Sequence, residues 1–128
     1  MTMLDPKLIR LSIALVWLYQ GLWCKVCGGS AAHLAVISNV PFFGPETARI
    51  VLIALGICES CIAAWVLSGR CMRQAAVVQT VSLITMNVGG VIWAWRLISD
   101  PFGMVFQNFA FLLLIWVLAE KSHAPAHA

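Results

Sequence analysis

Three features of the 128-residue sequence predict an all-α membrane protein, an antiparallel bundle of four transmembrane helices with both termini in the cytoplasm. The first is composition. Hydrophobic residues make up 62% of the chain and charged residues 10%, where a soluble domain has about 45–50% and about 25%; the mean hydropathy is +0.93. The second is four runs of about 18 residues or more with few charges: Leu8 to Val26, Thr47 to Leu67, Gln74 to Trp95 and Phe102 to Leu118. The third is spacing. The gaps at 68–73 and 96–101 suit antiparallel neighbours in one bundle, and the strand-like alternation of a membrane β-barrel is absent.

The elements follow in chain order, as helices over about 8–27, 47–67, 74–95 and 102–119 of a single membrane domain, 1–128. Residues 1–7 are a short polar lead, in which Asp5-Pro6 suits a helix start because proline gives up an N–H that has no partner there. The run from Leu8 exceeds the about 7–15 residues of a secretory h-region, so a leader cleaved at Ser30-Ala31-Ala32 is the weaker reading. Gly28-Gly29 breaks the first helix. In the connection 30–46, Ala31 to Val40 is apolar enough to lie along the interface or fold back into the bundle, and Pro41 and Pro45 end it. Asp100-Pro101 starts the fourth helix as Asp5-Pro6 starts the first. Residues 122–128 read as a disordered tail, whose His123 and His127 are too few for a metal site.

Orientation comes from the cations. Lys7, Arg10, Arg70, Arg73 and Lys121 share the side of the termini, and Lys25, Arg49 and Arg96 the other. Five against three places the termini in the cytoplasm. The same scatter over the loops gives no nucleic-acid footprint. Trp23, Trp93 and Trp95 mark the outer interface and Trp65 and Trp116 the inner, while Trp17 falls mid-span and needs a packing role.

The informative residues are the ionisable ones inside the runs. An acid at Glu59 costs roughly 2.5–3.5 kcal/mol on insertion scales, so it points to a role. Gly56 one turn before Glu59, and Gly21 one turn before Lys25, make narrow faces on which two helices can approach closely. A Lys25–Glu59 ion pair is the natural inference. Depth opposes it: Lys25 lies about 25 Å along a helix from Leu8, and Glu59 about 18 Å down one entering from the other side at Thr47. In a core of about 30 Å they stand on the order of 10 Å apart. The pair forms if the first helix tilts or runs past Val26, or if the second begins above the membrane. Arg10, Arg96 and Asn87 compete for Glu59, and a neutral, hydrogen-bonded acid is the plainer alternative.

Arg10, Trp17, Gly21-Leu22 and Lys25 occur in the order Arg-x6-Trp-x3-Gly-Leu-x2-Lys. Gly56-x2-Glu59 follows, then Arg70, then Asp100-Pro101-Phe102 leading to Asn108. In order and spacing this resembles the DoxX-like family of small four-helix membrane proteins, over roughly residues 8–119. The wider DoxX and DoxD group is associated with respiratory and sulfur redox systems, including a subunit of a thiosulfate:quinone oxidoreductase. The resemblance therefore implies an inner-membrane protein serving a redox or quinone-linked process, with quinone as a cofactor candidate and an oxidoreductase as partner. Besides the lipid bilayer, further copies of the chain are an open alternative partner. Asn108 belongs to the family pattern. With Lys25, Glu59 and Asn87 it makes the expected polar centre, with Arg10, Trp17, Gly21 and Gly56 in support.

Two Cys-x-x-Cys pairs leave rival readings open. Cys24 with Cys27, and Cys58 with Cys61, each place two thiols on one face of an α-helix. Lys25 favours thiolate in the first pair and redox exchange, whereas Glu59 disfavours it in the second unless a soft cation binds. Four thiols from two helices could hold a soft metal ion, giving a transporter or carrier of a soft metal or thiol compound as the alternative function. Cysteines also serve as small packing residues, and a purely structural subunit is the third reading. No nucleophile–base arrangement, glycine-rich phosphate loop or haem-binding pair is visible, which leaves an enzymatic role open only as part of an oxidoreductase.

Overall fold

The computed structural model describes residues 4–123, which are helical with no strand among them. Helix α1 spans Pro6–Leu18. Its start has the expected chemistry: the Asp5 carboxylate accepts the Lys7 backbone N–H at 2.9 Å, and Pro6 occupies the first turn. The chain then continues without a break as a π-helix, Tyr19–Val26. Its turns close on the fifth residue back, as in the bond from the Cys27 N–H to the Leu22 carbonyl. Gly28, at φ +72°, ends the run where the glycine pair predicts a break.

The apolar connection forms a short helix, α2, Ala31–Ser38. It is bent by 75° from the preceding run, so it lies across the other helices and packs on the π-segment, α3 and α4. Helix α3 spans Pro45–Ser68 and closes at Gly69, whose φ of +71° is the left-handed conformation favoured at this position. Helix α4 spans Met72–Ala94 and tightens into a 3₁₀ turn, Trp95–Leu97. Helix α5 spans Pro101–His123, its start capped by Asp100, which accepts the Gly103 N–H at 3.0 Å. The tail expected to be disordered from residue 122 thus begins inside α5. Its remainder, residues 124–128, and the first three residues of the polar lead lie outside the described residues.

Pro45–Ser68, Met72–Leu97 and Pro101–Ser122 are each long and apolar enough to cross a membrane, and a fourth span is counted only if the run Pro6–Val26 is taken together with α2 across the bend. The first run differs from the other three in changing helix type halfway, from α to π at Tyr19. Large apolar side chains on the outside, among them Leu11, Ile57, Val81, Phe106 and Leu113, suit lipid contact. Inside, one core cluster joins Ile13 and Trp17 of α1, Val66 of α3, Ala76 of α4 and Ile115 of α5. The ionisable pair sits beside this core, where the π-segment meets α3.

Candidate functional site

The site begins with two glycines. A methyl group added to Gly21 would lie 2.6 Å from the Gly56 carbonyl oxygen, and one added to Gly56 would lie 2.6 Å from the Gly21 carbonyl oxygen. The backbones of the π-segment and α3 therefore touch, which only residues without a Cβ permit. Glu59 lies over Gly21 and Lys25 over Gly56. Each glycine makes room for the charged side chain of the opposite helix.

Lys25 Nζ donates to Glu59 Oε2 at 2.9 Å, with the two side chains 7% and 3% exposed. Nζ also donates to the Gln20 carbonyl at 3.3 Å. The gap in depth that the sequence argument raises closes for two reasons. Eight residues wound as a π-helix climb less than the same residues in an α-helix, which holds Lys25 back toward the bundle centre. In addition, the 24 residues of α3 rise about 36 Å, more than the core of about 30 Å, so its start can stand above the membrane. Arg10 and Arg96 make no bond to Glu59.

His33 of α2 completes the surroundings. Burial, and then the charge of Lys25, lower its pKa to about 4, so the ring is neutral at pH 7. Its Nδ1 is buried without a hydrogen-bond partner among the described residues. Sequence reasoning passes over this residue, since no spacing links it to the first helix. The available signal is that it is the one histidine outside the last six residues, within an otherwise apolar stretch.

The other residues of the expected polar centre are placed elsewhere. Asn108 donates to Asn87 at 2.9 Å, joining α5 to α4, and Asn87 donates back to the Leu83 carbonyl. No hydrogen bond connects these amides to Lys25 or Glu59 among the described residues, so the four residues form two separate pairs. Trp17, buried mid-helix, donates to Gln79 at 2.8 Å and packs on Phe111 with ring centroids 5.9 Å apart. Gln79 is fully buried and ties α1 to α4, a role its sequence position alone does not reveal.

The cysteines do not assemble. All five are free thiols; Cys24 is buried, whereas Cys27, Cys58, Cys61 and Cys71 are exposed. The expected shared face of Cys24 and Cys27 is lost because a π-turn closes on the fifth residue, leaving a position three residues on much further short of a full turn than in an α-helix. Among the described residues no group of three or more His, Cys, Asp or Glu side chains is placed to hold a metal ion. The four-thiol site is therefore not built. An open apolar groove runs along the π-segment, lined by residues that include Leu15, Tyr19, Trp23 and Cys27, and none of the buried polar groups reaches it.

The model of the DoxX-like family matches residues 14–116. No curated protein and no solved structure matches. The matched span includes Trp17, Gly21, Lys25, Gly56, Glu59, Asn87 and Asn108 and leaves Arg10 outside.

Proposed function

The chain belongs to the DoxX-like family, and from that membership we propose that it is an accessory component of a membrane redox or quinone-linked system, working beside an oxidoreductase partner. In this reading α1 with its π continuation, α3, α4 and α5 form a four-helix membrane domain with α2 at the interface. Both termini face the cytoplasm across a bacterial-type inner membrane. Three helices of sufficient length and apolarity support the spans, and the five-to-three distribution of cations supports the orientation.

Lys25 and Glu59 are the centre of this function, with Asn87 and Asn108 as a second polar contact. The observation that carries the reading is the ion pair itself, closed at 2.9 Å where two helix backbones touch. Ionisable groups inside a membrane protein are costly and mark ion, proton or substrate pathways. A contact that served stability alone would be served as well by apolar side chains of similar volume. An ammonium–carboxylate pair can also take up or release a proton, the species that accompanies electrons in quinone chemistry.

The apolar double variant K25M/E59M separates function from structure. Its melting temperature in detergent is expected within a few degrees of wild type, while quinone-dependent turnover in membranes containing it falls to the level of membranes lacking the chain. Wild-type turnover with K25M/E59M, or turnover unaffected by deleting the chain, defeats the reading.

A further inference from the structure

Arg10 takes no part in the ion pair, and its surroundings assign it a different task. It stands in the second turn of α1 with its guanidinium against the glycine that closes α3. A methyl group at Gly69 would lie 2.9 Å from its Cζ and 3.0 Å and 3.1 Å from its terminal nitrogens. Among the described residues no protein group accepts a hydrogen bond from it, and its Nε is buried without a partner. The side chain as a whole is half-buried, so an acceptor from outside the chain can reach the same fork, and a buried donor left without one is costly.

The neighbourhood favours an anion. Three residues beyond Gly69, helix α4 starts at Met72 with no side-chain cap, since Cys71 before it sits at φ 50° and makes no capping bond. The first N–H groups of α4 are therefore open to an acceptor, on the positive end of the helix. The turn itself is held in place: Trp65 Nε1 donates to the Arg70 carbonyl at 2.8 Å, and the Arg70 N–H donates to Ser68 Oγ at 3.3 Å. Ile9, Val66 and Met72 share one core cluster, which fixes the start of α1 against the end of α3 and the start of α4. Of the acids at this end, Asp5 caps α1, and Glu120 is exposed and 4.0 Å from Arg73.

We propose that Arg10, the turn at 69–71 and the N-terminus of α4 bind the phosphate of an anionic phospholipid headgroup. The planar guanidinium matches two phosphate oxygens at once, and helix N–H groups take a further oxygen. Arg10 lies about 6 Å up the helix from Pro6, within the headgroup region of a spanning bundle. Exposed apolar residues flank it, Leu8 and Leu11 on α1 and Leu67 on α3. These would receive acyl chains, and their presence favours a lipid over a soluble anion. Arg70 and Arg73 add the positive charge that selects an anionic headgroup over a zwitterionic one.

Native mass spectrometry and thermal melting of the purified full chain in neutral detergent test this, with phosphatidylglycerol, phosphatidylcholine and inorganic phosphate as probes. Phosphatidylglycerol should be retained at one site and raise the melting temperature, and phosphatidylcholine should do neither. R10Q should weaken phosphatidylglycerol binding about tenfold, the loss of one charge-assisted fork. R10K should fall nearly as far, because an ammonium cannot present two parallel donors; R70Q/R73Q should fall less. Equal binding of the two lipids by the wild-type chain overturns the proposal even if R10Q fails to fold. Full lipid affinity in R10K overturns it as well, and competition by inorganic phosphate as effective as by the lipid transfers the site to a soluble anion.

Discussion

The two principal helix contacts solve the same problem with opposite chemistry. Between the π-segment and α3, glycines bring the backbones together and the polar link is a full ion pair, Lys25 to Glu59. Between α4 and α5, the links within the contact are neutral, Asn108 to Asn87 and Trp116 Nε1 to Thr80 Oγ1 at 2.9 Å, and the charges of Arg73 and Glu120 meet only at the exposed edge, 4.0 Å apart. Both satisfy buried polar groups, but only the first places charge there. Neutral bonds between membrane helices contribute little individually because alternative partners exist in the unassembled state. A charge has no cheap alternative in lipid, so the first contact is close to all-or-none.

Breaking the charged contact from one side should have the largest effect. K25A or E59A each leaves the other charge buried without a partner and should destabilise the chain by about 3–5 kcal/mol, while the double variant K25M/E59M recovers most of the loss. Unfolding in mixed micelles with increasing SDS measures both; additive losses in the double variant would mean that the two groups do not depend on each other. Next comes the backbone approach. Gly56→Val drives a methyl into the Gly21 carbonyl, a neighbour that cannot swing away, and should cost about 1–3 kcal/mol in the same assay. Tolerance of valine at wild-type stability would show that the helices can separate without loss. The smallest effect belongs to the neutral contact, where N87L or N108L should lower stability by about 1 kcal/mol or less. A loss as large as that of E59A would erase the distinction between the two contacts.

Much of this arrangement is legible in the residues. Asp5-Pro6 and Asp100-Pro101 announce two helix starts because cap chemistry is local, and Gly28 announces a break because its backbone conformation excludes other residues. Gly21 with Lys25, and Gly56 with Glu59, mark a close contact because small residues one turn from a charge have few other uses in an apolar run. The π-helix at Tyr19–Val26 is not legible: a winding change is a cooperative choice among backbone hydrogen bonds, and no side chain in Tyr-Gln-Gly-Leu-Trp-Cys-Lys-Val signals it. Its consequences are equally hidden, and they decide both the reach of Lys25 and the separation of Cys24 from Cys27. The grouping of Asn87 with Asn108, and of Trp17 with Gln79, depends on which helices become neighbours.

The hydrophobic runs alone mark the chain as helices suited to a lipid bilayer, and the membrane energetics of Glu59 alone call for a partner for that acid. Both follow from transfer free energies, which belong to residues one at a time. Tertiary structure decided that Lys25 is the partner of Glu59, that the thiols stand apart and that Arg10 faces a glycine turn with no hydrogen-bond acceptor among the described residues. Those are matters of distance between segments, set by helix winding, tilt and bend, and they arise only when the helices pack.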